Sequence, residues 1–137
     1  MWLSAGLWLV GCAWLIFARA SEVPFGYLRI TFETLQPGSG ELIPDLAREM
    51  DDKKVFVKGY MRSGRRLTGI KDFILYPNNS ECPFCTPSPK PTEKIRISLQ
   101  GDLETVFTTH EIGLAGRFRV DPDNPIPYRL EVDQPLR

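Results

Sequence analysis

The stretch "HEIGLAGRFRV", residues 110–120, decides the fold. Ile112, Leu114, Phe118 and Val120 share one parity, and Glu111, Arg117 and Arg119 take the other. Successive side chains of a strand point to opposite faces, so a period of two marks a half-buried β-strand. One face fills an interior and the other meets water.

The same rhythm recurs on both sides of this stretch. "DPDNP" (121–125) reads as a turn, and "YRLEV" (128–132) sends Tyr128, Leu130 and Val132 inward. Upstream, "EKIRISL" (93–99) places Ile95, Ile97 and Leu99 on one face. "IKDFILY" (70–76) is apolar on both faces, as in a more central strand. In "VFVKGYM" (55–61) Val55, Val57 and Met61 share a face with Gly59, which marks a bulge or a close backbone approach. "YLRITFE" (27–33) alternates again, with Leu28, Ile30 and Phe32 together. Only "LIPDLAREM" (42–50) departs from this rhythm. Ile43, Leu46, Ala47 and Met50 have helical spacing, and Pro44 suits a first turn.

About six short strands and one short helix predict an all-β domain. An open sheet of that size leaves two edges unpaired, so closure into a small antiparallel β-barrel is expected, OB-like in kind. The usual OB helix lies between the third and fourth strands. Counting from Tyr27, that connection is the proline-rich "PNNSECPFCTPSPKPT" (77–92), and the helix precedes the second strand.

Composition narrows the partners. Lys plus Arg equals Asp plus Glu at 17 each, so no global field draws the chain to nucleic acid or an anionic membrane. A 42% hydrophobic content with zero net charge excludes disorder. Residues 21–137 fit one domain. Residues 1–20, "MWLSAGLWLVGCAWLIFARA", carry no charged side chain before Arg19. The run ends in Ala18-Arg19-Ala20, the small-x-small pattern of signal cleavage, and polar Ser21-Glu22 follow. Export with cleavage after Ala20 is expected, although a basic start is missing. Retention would instead make residues 2–18 an N-terminal membrane anchor, the only part to touch a bilayer. "LVGC" (9–12) has the form of a lipobox, but Ala13 to Phe17 stay apolar where a lipoprotein has a polar tether. All three tryptophans (Trp2, Trp8, Trp14) lie in this segment, so a processed chain has none.

"ITFETL", "DDKKVFVKGYMR", "GIKDFILYPNNSECPFC" and "HEIGLAGRFRV…YRLEV" occur here in an order that resembles domain of unknown function 3299, an exported bacterial family, in its planctomycete-like form. The resemblance spans about residues 28–133. It implies a small secreted or lipid-anchored β domain, often encoded near transport systems. Many relatives carry a cysteine followed by His or Cys and then prolines in the loop, where this chain has Cys82-Pro-Phe-Cys85. The family brings no activity with it.

Cys82 and Cys85 support three readings. Thiol–disulfide exchange needs a lowered thiol pKa, usually at a helix N-terminus. Pro87, Pro89 and Pro91 forbid a continuing helix here, and no βαβ pattern flanks the motif. Zinc suits the C-x-x-C spacing, but a structural site takes about four ligands. His110 is the one histidine of the chain, and Glu81, Asp102 or a second chain would have to complete the set. The third reading is a local disulfide that stiffens a loop too polar to stabilise itself by burial. Its small ring would contribute about 1–2 kcal/mol. Thiol counting with metal analysis on the exported protein separates the three. The staple predicts two blocked thiols and no metal. Stoichiometric zinc lost on Cys→Ser substitution would establish the zinc site, and turnover in insulin reduction the oxidoreductase.

Lys58, Arg62, Arg65, Arg66 and Lys71 gather around the hairpin "KGYMRSGRRLTGIK", with Tyr60 and Phe73 close in sequence. In an OB-like barrel such a hairpin can take single-stranded nucleic acid by stacking and phosphate contact. Export and zero net charge argue for an anionic glycan, lipid headgroup or protein instead. "DPDN" (121–124) lacks the ligand series of a calcium loop. The chain has no G-x-S-x-G, Walker or H-E-x-x-H motif. The expected role is therefore a non-enzymatic binding or accessory module with a protein partner near the membrane, and zinc binding or delivery is the alternative.

Overall fold

The computed structural model describes residues 23–38, 42–62, 64–78 and 90–137. Ala18, Ala20, Cys12, Cys82 and Cys85 lie outside the described residues. Six strands form one sheet: β1 (Leu28–Arg29), β2 (Lys54–Met61), β3 (Asp72–Tyr76), β4 (Ile95–Leu99), β5 (Ile112–Val120) and β6 (Tyr128–Val132). The described helices are α1 (Asp45–Glu49) and two 3-10 turns, Phe32–Leu35 and Pro91–Glu93. None of them is long and apolar enough to cross a membrane.

The sheet closes on itself. Its order is β1-β2-β3-β4-β6-β5, and β5 pairs back onto β2 from Lys54↔Arg117 to Gly59↔Ile112. Five strands thus make a closed barrel, with β1 as an appendage. Without β1, the order from β2 onward is first-second-third-fifth-fourth-first, the Greek-key order of an OB barrel. The expected all-antiparallel barrel needs one correction: β4 and β6 run parallel, with Ile97 opposite Leu130.

Residues 27–33 account for the earlier mismatch in strand numbering. They were expected to form a seven-residue strand, but only Leu28–Arg29 pairs, parallel to Val55 and Phe56, before the chain winds into the first 3-10 turn. The reason lies in β2. Its far end is taken by β3 (Tyr60↔Tyr76, Met61↔Leu75), so a short length of that edge remains for β1. The proline-rich loop therefore joins the second and third barrel strands. The third-to-fourth connection is residues 100–111, which contain no helix.

The alternating residues fill the interior as expected. Val55, Val57, Leu75, Ile95, Leu114 and Leu130 are all essentially inaccessible. Burying such side chains contributes about 1.5–3 kcal/mol each. Gly59 stands at the split between β1 and β3, and a Cβ there would lie 2.7 Å from both Leu75 and the Tyr76 carbonyl oxygen. The close approach expected at Gly59 is thus present. Ile43, just ahead of the helix, and Ala47 within it are buried in the core, while Leu46 is 44% exposed.

Tyr128 is the largest fully buried side chain. Its ring packs against Phe118 at a centroid distance of 5.5 Å, and its hydroxyl donates to the Leu35 carbonyl at 2.6 Å. This bond ties the N-terminal 3-10 turn to the last strand. Burial pushes the phenol up to about 12. A phenolate would also face the Leu35 oxygen with no proton to share. The folded state thus holds this proton more tightly than the unfolded chain, whose tyrosine titrates near 10. The contribution is fully present below pH 10 and is lost as pH rises toward 12. Urea unfolding between pH 9 and 12 should show stability falling by about 2–3 kcal/mol from this group. Tyr128→Phe, which has nothing to ionise, should flatten that part of the profile.

Candidate functional site

The loop between β2 and β3 is held in place by its neighbours. Ile70 and Thr105 exchange backbone hydrogen bonds at 2.9 Å, and Phe107 N–H donates to the Leu67 carbonyl at 2.8 Å. Residues 67–70 are thereby fixed against the connection that follows β4. Lys71 Nζ donates to the Gly101 carbonyl at 2.8 Å.

A groove of about 560 Å³ opens between this loop and β3. Its lining includes Arg62, Arg65, Arg66, Lys71, Phe73 and Tyr76. Four of the five basic residues singled out in the sequence are therefore brought together. Lys58 is not: it sits midway along β2, opposite Gly113. Phe73 joins the groove as its proximity in sequence suggested. Tyr60 does not, although it pairs with Tyr76 across the strands.

Arg62 is the best-defined member. Its guanidinium lies 3.8 Å from the centre of the Tyr76 ring, and one amino group donates to Asn78 Oδ1 at 3.3 Å. A guanidinium over an aromatic face is attracted by the ring quadrupole. Arg62 Nε is buried and has no hydrogen-bond partner among the described residues. Such a donor carries a desolvation cost that an acceptor in the groove would offset. Arg65 and Arg66 are exposed and make no ion pair among the described residues.

A second, smaller depression of about 240 Å³ lies on the outer face of β3, β4 and β6. It is lined by Asp72, Arg96, Ser98, Gln100, Arg129 and Glu131. It shares Asp72 with the groove, so the two are neighbours on one surface. The sequence reading passed over Arg96 and Arg129. Each sits at an outward position of an alternating strand, but that pattern does not reveal that strands 33 residues apart in sequence lie side by side.

Of the acidic residues around this face, Asp72 and Glu131 line the depression itself, while Asp52 is engaged beside it. Asp52, at φ 65°, turns the chain into β2 and accepts from Arg117 at 2.9 Å and Arg119 at 2.8 Å. The Arg117 hydrogen bond first, and the Arg119 charge second, hold its carboxyl below the usual carboxylate range. Glu131 lies 3.9 Å from Arg119.

His110 is exposed, just ahead of β5, and its backbone N–H donates to the Thr108 hydroxyl at 3.1 Å. Of the zinc ligands considered, His110 and Asp102 are among the described residues, and Cys82, Cys85 and Glu81 lie outside them. Among the described residues no three His, Cys, Asp or Glu side chains gather into a metal-binding group. The base of the cysteine loop is anchored on its C-terminal side. Thr92 and Gln36 exchange hydrogen bonds at 2.8 and 2.9 Å, which link this base to the N-terminal turn.

No family model matches the chain, and no curated protein matches it. One solved structure does, a DUF3299 family protein from Pseudomonas aeruginosa PAO1. The superposition covers 79% of this chain and 93% of that one, with a TM-score of 0.52 and 14% sequence identity. The chain therefore has the fold of a DUF3299 family protein, the family that its sequence resembles.

Proposed function

We propose that this protein is an exported binding module that docks an acidic segment of a protein partner in the groove beside residues 62–71. One observation carries the reading: Arg62, Arg65, Arg66 and Lys71 line a single groove together with Phe73 and Tyr76. In an OB barrel the loop between the first two strands and the face of the second and third strands take ligands. The groove lies at that place. Planar guanidinium forks match carboxylates in a way that point charges do not. The apolar leader ending in Ala18-Arg19-Ala20 supports export, and with it work at the cell envelope.

The test is fluorescence anisotropy with a labelled hexaglutamate peptide. Saturable binding is expected, and Arg65→Gln/Arg66→Gln should weaken it about tenfold, near 1.4 kcal/mol. Binding of heparin or phosphatidylglycerol vesicles through the same arginines, with none of the peptide, would overturn the protein-partner reading. The alternative, zinc held by Cys82, Cys85 and His110, is supported by the C-x-x-C spacing and is decided by the thiol and metal measurement described above.

A further inference from the structure

The geometry points to a second anion subsite on the same face, an arginine clamp formed by Arg96 and Arg129 that takes a further carboxylate of the groove's occupant. The inference rests on the groove reading for the identity of that occupant, but the clamp has observations of its own. Arg96 and Arg129 are direct partners across the parallel β4–β6 pair. Both are exposed, and both line the outer depression. Like charges directly opposed across strands are destabilising. Among the described residues neither guanidinium makes an ion pair or a hydrogen bond, although the carboxylates of Asp72 and Glu131 line the same depression. The adjacent Arg119 already holds Asp52 and Glu131.

The depression also offers hydrogen-bond donors. Gln100 Nε2 lies 3.3 Å from Ser98 Oγ and donates toward it, which leaves the serine proton to point outward. Two guanidiniums and a hydroxyl thus line the depression beside Asp72 and Glu131, and a bound anion would remove the repulsion between the arginines.

The register sets the spacing. Ile74 is opposite Arg96, Arg96 opposite Arg129, and Arg129 opposite Arg119. One residue past the Met61↔Leu75 pair, the same register puts Arg62 opposite Ile74. One row across the barrel thus reads Arg62, Ile74, Arg96, Arg129, Arg119. Strands lie about 4.8 Å apart, so Arg62 and Arg96 are roughly 10 Å apart in this row. A peptide in the polyproline II conformation advances about 3.1 Å per residue with three residues per turn, so side chains three apart share one side. The occupant is therefore a polyproline II segment laid across the strands, with acidic residues three apart facing the barrel.

Two measurements test this. In the first, labelled peptides with Glu-Ala-Ala-Glu or Glu-Glu-Ala-Ala at their centre are compared. Wild type should favour the spaced peptide at least fivefold, and Arg96→Gln/Arg129→Gln should abolish the preference. Arg65→Gln/Arg66→Gln should weaken both peptides alike. Unchanged preference in Arg96→Gln/Arg129→Gln overturns the clamp and leaves the groove reading standing. Loss of binding in that variant with none in Arg65→Gln/Arg66→Gln overturns the groove reading instead.

The second measurement needs no peptide. Arg96→Gln relieves the repulsion, so in low salt it should raise Tm by about 2–4 °C. Inorganic phosphate should raise the Tm of wild type and leave that of Arg96→Gln/Arg129→Gln unmoved. A variant no more stable than wild type, with equal responses to phosphate, overturns the clamp whatever the peptides do.

Discussion

Gly116→Ala is expected to abolish cooperative folding or to cost at least about 3 kcal/mol. Gly116 is where β5 serves two neighbours at once, paired with Val55 of β2 and with Val132 of β6. A Cβ there would overlap the Glu131 carbonyl oxygen, and would lie 2.6 Å from that carbonyl carbon and 2.7 Å from Val132 Cα. These are backbone atoms, so no rotamer change relieves the clash. The strands must separate, and they separate along the β5–β6 seam. Gly38→Ala is the control, because a Cβ at Gly38 meets nothing within 4 Å. Urea unfolding reads both. A Gly116→Ala protein within 1 kcal/mol of wild type would show that the seam tolerates a wider gap than its geometry allows.

Phe118→Ala should be nearly as damaging. Phe118 is fully buried, lies opposite Leu130 and holds the Tyr128 ring from one side. Truncating a buried phenylalanine typically costs about 3–5 kcal/mol, part lost transfer energy and part cavity. Collapse is restricted here, because both backbone groups of the residue are held by residues 52–53. Phe118 N–H donates to Lys53, and the Phe118 carbonyl accepts from Asp52 at 2.7 Å. Single domains are stable by only about 5–15 kcal/mol, so the expected Tm drop is roughly 15 °C. Tyr128→Phe keeps the ring and loses only the hydroxyl bond, so it should fall by about 1–3 kcal/mol. A Phe118→Ala loss no larger than that of Tyr128→Phe would mean that the aromatic pair does not anchor the core.

Side-chain rhythm made much of this barrel legible. Residues 95–99 and 128–132 alternate because one face of each is buried, and the structure buries that face, whereas residues 112–116 are buried on both faces. Other features had no such imprint. Residues 27–33 alternate as well as any strand, yet they pair at two positions, because the partner edge was already taken. That competition is a matter of tertiary geometry and leaves no local mark. The parallel β4–β6 pair is invisible for the same reason, since alternation reports a face and not a neighbour.

The binding surface divides along the same line. Arg62, Arg65, Arg66 and Lys71 are clustered in the chain, so their gathering into one groove follows from the turn that carries them. Arg96 and Arg129 come from distant segments and meet only through strand order. Arg62 had a further feature that only packing could supply, the Tyr76 ring beneath its guanidinium.

Leu75 and Ile95 face each other across β3 and β4, and the cysteine-bearing segment spans the interval between them. The polypeptide therefore leaves the scaffold and re-enters it at almost the same spot. Such an insertion point is indifferent to the length of what is spliced in, so evolution or an engineer can swap whole cassettes there without retuning the host.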